Sequence, residues 1–404
     1  MERSVSLRDA HAASARLGRA GSCHSLVPRP GMVKRVMVIA GEASGDLHGA
    51  GVVRELKRNS PDIDIFGVGG DKMKRAGMEI VYHINELGFM GFVEVVKHLP
   101  VIRSVKKTLE SLLKYRRPDV VLLIDYPGFN LRFAVAAKRS GAKVVYYISP
   151  QVWAWHRSRV KKMHGVVDQM LVIFPFEVEL YQMEGIDAEF VGHPLLESMK
   201  TDLDRKGFFK RFGLDPKKKL LGVLPGSRVQ EIEKIFPEML EAARVIAGEE
   251  DMEVVVAVAP TLEEQYFRTM YSVEDVHLVK DATYEVMEHS DFALVTSGTA
   301  TLETALFETP MMVVYKTSWV TYLLGRLLIR VKNIGLVNIV AGRQIVPEFI
   351  QHKATASNLA NEALAILRSK ERLASMKQEL ASLKGKLGEV GASRRVAERI
   401  LQIA

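Results

Sequence analysis

The sequence predicts an α/β protein built as two Rossmann-like domains facing each other across a cleft. Two observations carry this expectation. Short apolar runs alternate with helical stretches twice, from 36 to about 195 and again from 220 onward. Each half also opens in the same way, with a strand-like run that breaks into a Gly-containing loop and then a helix. Such alternation builds parallel sheets covered by helices on both faces. The length of 404 residues agrees, because single cores stop growing at roughly 250–300 residues. One large doubly wound sheet is the competing arrangement.

In the first half, apolar runs at 36–40, 63–68, 120–124, 144–148, 170–173 and 189–191 read as strands, and 49–58, 91–114, 131–140 and 176–184 as helices. Around 199–216 the pattern yields to a charged stretch from Lys200 to Lys206, the entry to a second domain. There 220–224, 254–258, 276–279, 292–295 and 311–314 read as strands, 229–247 as a helix, and 356–402 as helical. The division is therefore an extension over 1–33, a first domain over 34–199, a second over 200–370, and C-terminal helices over 371–404 that pack back on the first domain. Residues 1–31 carry five Arg against Glu2 and Asp9 and lack periodicity. A disordered extension or an over-called start is preferred to an organellar targeting peptide, since Met32 stands just before the first strand.

With 48% hydrophobic residues, both cores can be filled. The one cysteine, Cys23, excludes an intrachain disulfide and fits a reducing compartment. The eleven His are scattered, with no Cys/His cluster at metal spacing, so no metal site is expected. The net charge of +8 suits an anionic partner. No apolar run reaches the roughly 18 residues of a membrane-crossing helix.

Five segments carry candidate chemistry. The first is Gly41-Glu42-Ala43-Ser44-Gly45-Asp46, directly after the run 36–40. A strand, a Gly-rich turn and a helix build ligand sites at the carboxyl edge of open sheets; Ser44 and Asp46 could cap the helix. The spacing is not that of a dinucleotide fingerprint. The second is Ser297-Gly298-Thr299-Ala300-Thr301-Leu302-Glu303. Small residues at a helix start offer N–H groups to an anion, and Glu303, one turn beyond Thr299, could accept from a ribose diol. An ordinary N-cap is the plain alternative.

The third segment is Pro225-Gly226-Ser227-Arg228. Ser227 with Gln230 forms a candidate capping box, and the Arg228 guanidinium at a loop–helix junction suits bidentate phosphate binding. The fourth is Ile124-Asp125-Tyr126-Pro127-Gly128-Phe129-Asn130, where the carboxylate of Asp125 ends an apolar strand; Asp before a Pro-Gly turn is also a routine turn former. The fifth is Ser149-Pro150-Gln151-Val152-Trp153-Ala154-Trp155-His156, followed by four basic residues up to Lys162. Interleaved aromatics and cations fit nucleic acid or a solvated basic helix. The stretch 87–107 is unusually apolar and basic, either a core helix or an interfacial one.

Taken together, these strings resemble the lipid-A-disaccharide synthases, over a span from about 34 to the C-terminus. The resemblance implies the two-domain glycosyltransferase architecture called GT-B and an inverting transfer. UDP-2,3-diacylglucosamine would be joined to 2,3-diacylglucosamine 1-phosphate, with UDP released and no metal or other cofactor. It assigns the general base to Asp125, although some members carry a second Asp where this chain has Gly128. Arg228 would stabilise the departing diphosphate. Ser44, Gly45, Gly226, Ser227, Ser297, Gly298, Thr299, Ala300, Thr301, Glu303 and Asn338 would bind the donor, with Glu303 on the ribose. Phe89, Met90, Phe92, Val93, Val96, Trp153 and Trp155 would face the acceptor and the membrane. His193, in Gly192-His193-Pro194, would serve as a hinge or donor contact. The implied setting is an anionic membrane surface, on the cytoplasmic face of the inner membrane of a Gram-negative bacterium. No nucleic acid is expected, and a homodimer stays open. A UDP-sugar epimerase of the same architecture and a non-catalytic lipid-surface protein are the rival readings.

Overall fold

The computed structural model describes residues 34–86, 99–150, 158–317 and 333–404. They form two separate parallel sheets. The first runs β3-β2-β1-β4-β5-β6-β7. Its strands are β1 (Arg35–Ala40), β2 (Asp64–Gly69), β3 (Glu79–His83), β4 (Val120–Ile124), β5 (Lys143–Tyr147), β6 (Gln169–Val172) and β7 (Ala188–Phe190). The second runs β10-β9-β8-β11-β12-β13. It comprises β8 (Lys219–Leu224), β9 (Met252–Val258), β10 (His277–Lys280), β11 (Phe292–Thr296), β12 (Met311–Tyr315) and β13 (Glu348–Ile350). One continuous sheet is thereby ruled out. The central strands are buried on both faces, β4 along its whole length, which is why they read as unbroken apolar runs rather than alternating ones.

The edge strands β3 and β13 escape a sequence reading. Both are short and only half-buried, so neither carries the apolar run that marks the inner strands. The Gly-rich stretch after β1 also differs from expectation. The helix there is Ala43–Asn59, so Gly45, Gly49 and Gly51 lie within a helix and only Gly41 in the loop. Close packing is the reason: a Cβ on Gly49 would lie 2.8 Å from the Met73 sulfur, and one on Gly51 2.3 Å from the Ser393 hydroxyl. Likewise, the helix expected at 131–140 starts at Pro127. Of the helix expected over 91–114, the described part is Leu99–Arg116.

The C-terminal segment divides between the two domains. Lys370–Lys386 lies against helices Thr299–Leu306, Leu336–Ala341 and Ala356–Leu367 of the second domain. Ala392–Ile403 crosses to the first, burying Ala392, Val396, Ala397 and Ile400 at helical spacing against Ala43–Asn59. Arg395 Nε donates to the Val191 carbonyl at 2.8 Å, and Lys34 Nζ to the Leu401 carbonyl at 2.5 Å.

Candidate functional site

Strand order decides where ligands bind in an open parallel sheet. The crevice lies beyond the carboxyl ends of the strands where the order reverses. In the first sheet that reversal falls between β1 and β4, paired from Val36↔Val120 to Ala40↔Ile124. The loops leaving them are Gly41–Glu42 and Asp125–Tyr126. In the second sheet it falls between β8 and β11, with Leu224 opposite Val295. The loops there begin at Pro225 and Ser297. Four of the five sequence motifs thus sit at the two switch points.

In the second domain a cavity of about 350 Å³ opens at this point, lined by Gly226, Ser227, Arg228, Ser297, Gly298, Thr299, Ala300 and Glu303. Two helices, Val229–Glu250 and Thr299–Leu306, start at its wall, and their free N–H groups favour an anion. Gly226 has φ 104°, with room for a Cβ only 3.0 Å from the Thr296 methyl, so the turn into the cavity suits glycine. The exposed Arg228 guanidinium meets the Glu231 carboxylate at 3.0 Å. Arg228 itself is the N-cap, without a side-chain capping bond, so the expected Ser227–Gln230 capping box does not form. Glu303 accepts from the Tyr284 hydroxyl at 3.1 Å. Burial pushes its carboxyl above the usual range, and the Tyr284 bond opposes that shift.

Two second-domain donor assignments do not reach this cavity. Thr301 is fully buried, its hydroxyl donating to the Gly298 carbonyl at 2.8 Å. It shapes the loop from beneath. Asn338 is also fully buried. Its Nδ2 donates to the Val346 carbonyl and Glu348, and its Oδ1 accepts from the N–H groups of Ile345 and Val346. Every polar group of that amide is committed to the 345–348 turn. Conversely, Glu231, Thr283 and Thr296 line the cavity without having been singled out. Glu231 lies three residues beyond Arg228 on one helix face, a readable signal. Thr283 has no local one, since β10 brings it in from far along the chain.

In the first domain, Asp125 and Tyr126 both adopt left-handed backbone, with φ 45° and 46°. Each such non-Gly residue costs about 1–3 kcal/mol, and Tyr126 also precedes Pro127, which constrains it further. The result is a half-buried carboxyl lifted off the end of β4. Burial raises its pKa to about 6, helped by the nearby Glu42 carboxylate and opposed by the Tyr126 N–H. Ser44 is exposed and Gly45 buried in the helix Ala43–Asn59, and neither lies in the second-domain cavity. That helix is capped by Glu42 without a side-chain bond, not by Ser44 or Asp46. The Asp46 carboxylate instead accepts from the N–H groups of Gly70, Lys72 and Met73 at 2.7, 3.1 and 3.0 Å, capping the next helix, Asp71–Arg75. His193 is buried against Phe174, its Nδ1 accepting from the Leu195 N–H, which makes it part of the packing at the domain crossover. Phe89, Met90, Phe92, Val93, Val96, Trp153 and Trp155 lie outside the described residues.

The family model described as lipid-A-disaccharide synthetase matches residues 36–404. The chain belongs to this family. The lipid-A-disaccharide synthases of Geobacter sulfurreducens and Nitrosococcus oceani are each 43% identical to it. These matches cover 91% and 90% of this chain and 97% and 94% of those proteins. Among solved structures, UDP-GlcNAc 2-epimerase from Neisseria meningitidis bound to UDP-GlcNAc aligns with TM-score 0.64 at 15% identity, covering 91% of this chain and all of that one (100%). The glycotransferase of kitacinnamycin aligns with TM-score 0.60 at 14% identity, covering 93% and 100%. These likenesses establish the GT-B fold that the synthetase family shares with the epimerases. Family membership supports the transferase reading over the epimerase and lipid-surface alternatives.

Proposed function

We propose that this chain condenses UDP-2,3-diacylglucosamine with 2,3-diacylglucosamine 1-phosphate through a β-1,6 linkage, releasing UDP. The observation that carries the site is the placement of Arg228 and Glu303 around one cavity at a switch point, in a chain matched to the synthetase family from 36 to its end. The UDP diphosphate binds at the helix starts beside Arg228, and Glu303 takes the ribose hydroxyls. Asp125 accepts the proton of the acceptor 6-hydroxyl as that oxygen bonds to the anomeric carbon. The bond from that carbon to the diphosphate breaks with inversion, and UDP leaves with the electron pair. Arg228 supplies the positive charge that the leaving diphosphate needs, so the reaction runs without metal. Among the described residues no helix is long and apolar enough to cross a membrane. The acylated substrates are met at the anionic cytoplasmic face of the inner membrane.

The test is incubation of the full chain with both substrates in excess EDTA, followed by mass spectrometry. A tetraacyl disaccharide 1-phosphate that is lost in Arg228→Ala supports the reading. Epimerised UDP-sugar without disaccharide would replace it with the epimerase reaction.

A further inference from the structure

Asp125 could not point away from β4 without the left-handed turn at 125–126, and the structure shows what holds that turn. The backbone N–H of Asp125 still bonds to the Tyr147 carbonyl at 3.0 Å, continuing the sheet. Its carbonyl, turned away by the positive φ, leaves the ladder. Two buried side chains meet it there. The Tyr146 hydroxyl donates to it at 2.6 Å and Asn130 Nδ2 at 2.7 Å. Asn130 Nδ2 also reaches the Ile124 carbonyl at 3.2 Å and the Ile39 carbonyl at 3.5 Å, so one amide gathers the ends of β1 and β4 at the switch point. Both residues are fully buried. Both donors meet the carbonyl in this conformation; relaxing the turn would strand the Tyr146 hydroxyl in the core and cost the Asn130 amide its shortest bond.

We propose that Asn130 and Tyr146 are positioning residues, which lock the strained Asp125–Tyr126 turn and thereby aim the Asp125 carboxyl at the acceptor hydroxyl. This rests on the reading of Asp125 as the base. Neither residue touches substrate. Their effect passes through the backbone of Asp125, and tight geometry at a reacting group is what such a lock supplies. The groups facing Asp125 are Glu42 from the loop after β1, the backbone N–H of Tyr126 and Tyr146 from β5. Tyr146 in turn faces Tyr181 from helix Phe176–Gln182.

The experiment compares Tyr146→Phe, Asn130→Ala and Asp125→Asn in the full chain, reading kcat, KM for the UDP-sugar, UDP affinity and the pH profile. Tyr146→Phe removes one oxygen from a buried ring and keeps its shape. It is expected to lower kcat roughly 10–100-fold with UDP affinity and KM unchanged, and to move the acid limb of the profile toward the ordinary carboxylate range as the carboxyl relaxes into water. A wild-type circular-dichroism spectrum with a cooperative urea transition shows that the first domain is folded, and Asn130→Ala repeats the test from the other donor. If Asp125→Asn is inactive while the other two variants keep the wild-type kcat and acid limb, the inference is overturned and the base reading stands. If Asp125→Asn keeps full turnover, the base reading fails and takes the inference with it.

Discussion

Arg228 enters its cavity already paired with Glu231 at 3.0 Å, so the anion it is proposed to bind must take it from a carboxylate. A guanidinium can do this because its fork serves two acceptors at once, where an ammonium is a single point charge. Hydrogen bonds to charged groups contribute about 1.5–3 kcal/mol each. Arg228→Lys should therefore lower kcat/KM by roughly 10–100-fold in steady-state assays, and near-normal turnover would show that charge alone suffices. Asp125 allows a prediction with two opposite signs. Its folded pKa is raised to about 6 from an ordinary 3.8, so within that interval the folded state binds more protons than the unfolded one. Stability then falls as pH rises through the window, and the deficit is complete above about 6. Asp125→Asn removes the deficit. At pH 7.5 the variant should unfold at higher urea, by about 1–3 kcal/mol, while losing turnover; near pH 3.5 the stability gain should vanish. In the wild type, kcat/KM should climb with pH and level off above about 6 as the base loses its proton.

At the scale of elements, residues that look like ligand contacts turn out to join pieces of the scaffold. Asp46 belongs to a loop string that reads as a binding turn, yet its carboxylate holds three N–H groups at the start of Asp71–Arg75. Asp46→Asn should cost about 1–2 kcal/mol in urea unfolding and speed amide exchange over 71–76, with UDP affinity untouched. Asn338 makes the same point more strongly. Its four bonds fold the 345–348 turn that delivers β13 to β12. Asn338→Ala should destabilise by about 3 kcal/mol, and at low temperature the folded fraction should bind UDP normally; weakened UDP binding there would return Asn338 to the site. This is also where the limits of sequence reading show. The inner strands β1, β4, β8 and β11 were legible because burial on both faces makes them continuous apolar runs. Arg228 and Glu303 were legible because each follows a strand end through a short Gly-containing loop, Arg228 at the helix start and Glu303 in its second turn. Thr301 and Asn338 were not separable from true cavity residues, since a polar side chain in a loop string looks the same whether it faces a ligand or a neighbouring carbonyl. The left-handed turn at 125–126 left no trace in a string read as an ordinary Asp–Tyr–Pro–Gly turn, because the two side chains on its carbonyl are Asn130, a turn of helix further on, and Tyr146, on a different strand.

For the whole molecule, the transfer proposed to draw on both domains depends on how the domains are joined. The chain passes from the first domain to the second beyond Ser198 and comes back to the first at Leu387. There the Leu387 carbonyl accepts from the His193 N–H at 2.9 Å. The returning helix Ala392–Ile403 is then seated by Ser393, whose N–H and hydroxyl donate to Glu197 at 3.0 and 2.6 Å. Gly51 makes that seat possible, because a Cβ there would lie 2.3 Å from the Ser393 hydroxyl and 3.1 Å from its Cβ. Helix backbone cannot shift to relieve such a clash without lifting Val396 and Ile400 out of the core. Gly51→Ala should therefore cost about 1–3 kcal/mol, even though alanine favours a helix. Ser393→Gly removes both clashing atoms at the cost of one hydrogen bond, so Gly51→Ala combined with Ser393→Gly should be more stable than the sum of the single effects. A urea double-mutant cycle reads that coupling, expected at about 0.5–3 kcal/mol for groups in contact; simple additivity would mean the helix is seated elsewhere. Because the cavity proposed to bind UDP is lined wholly by second-domain residues, Gly51→Ala should also keep UDP affinity while losing turnover, separating the domain joint from that cavity.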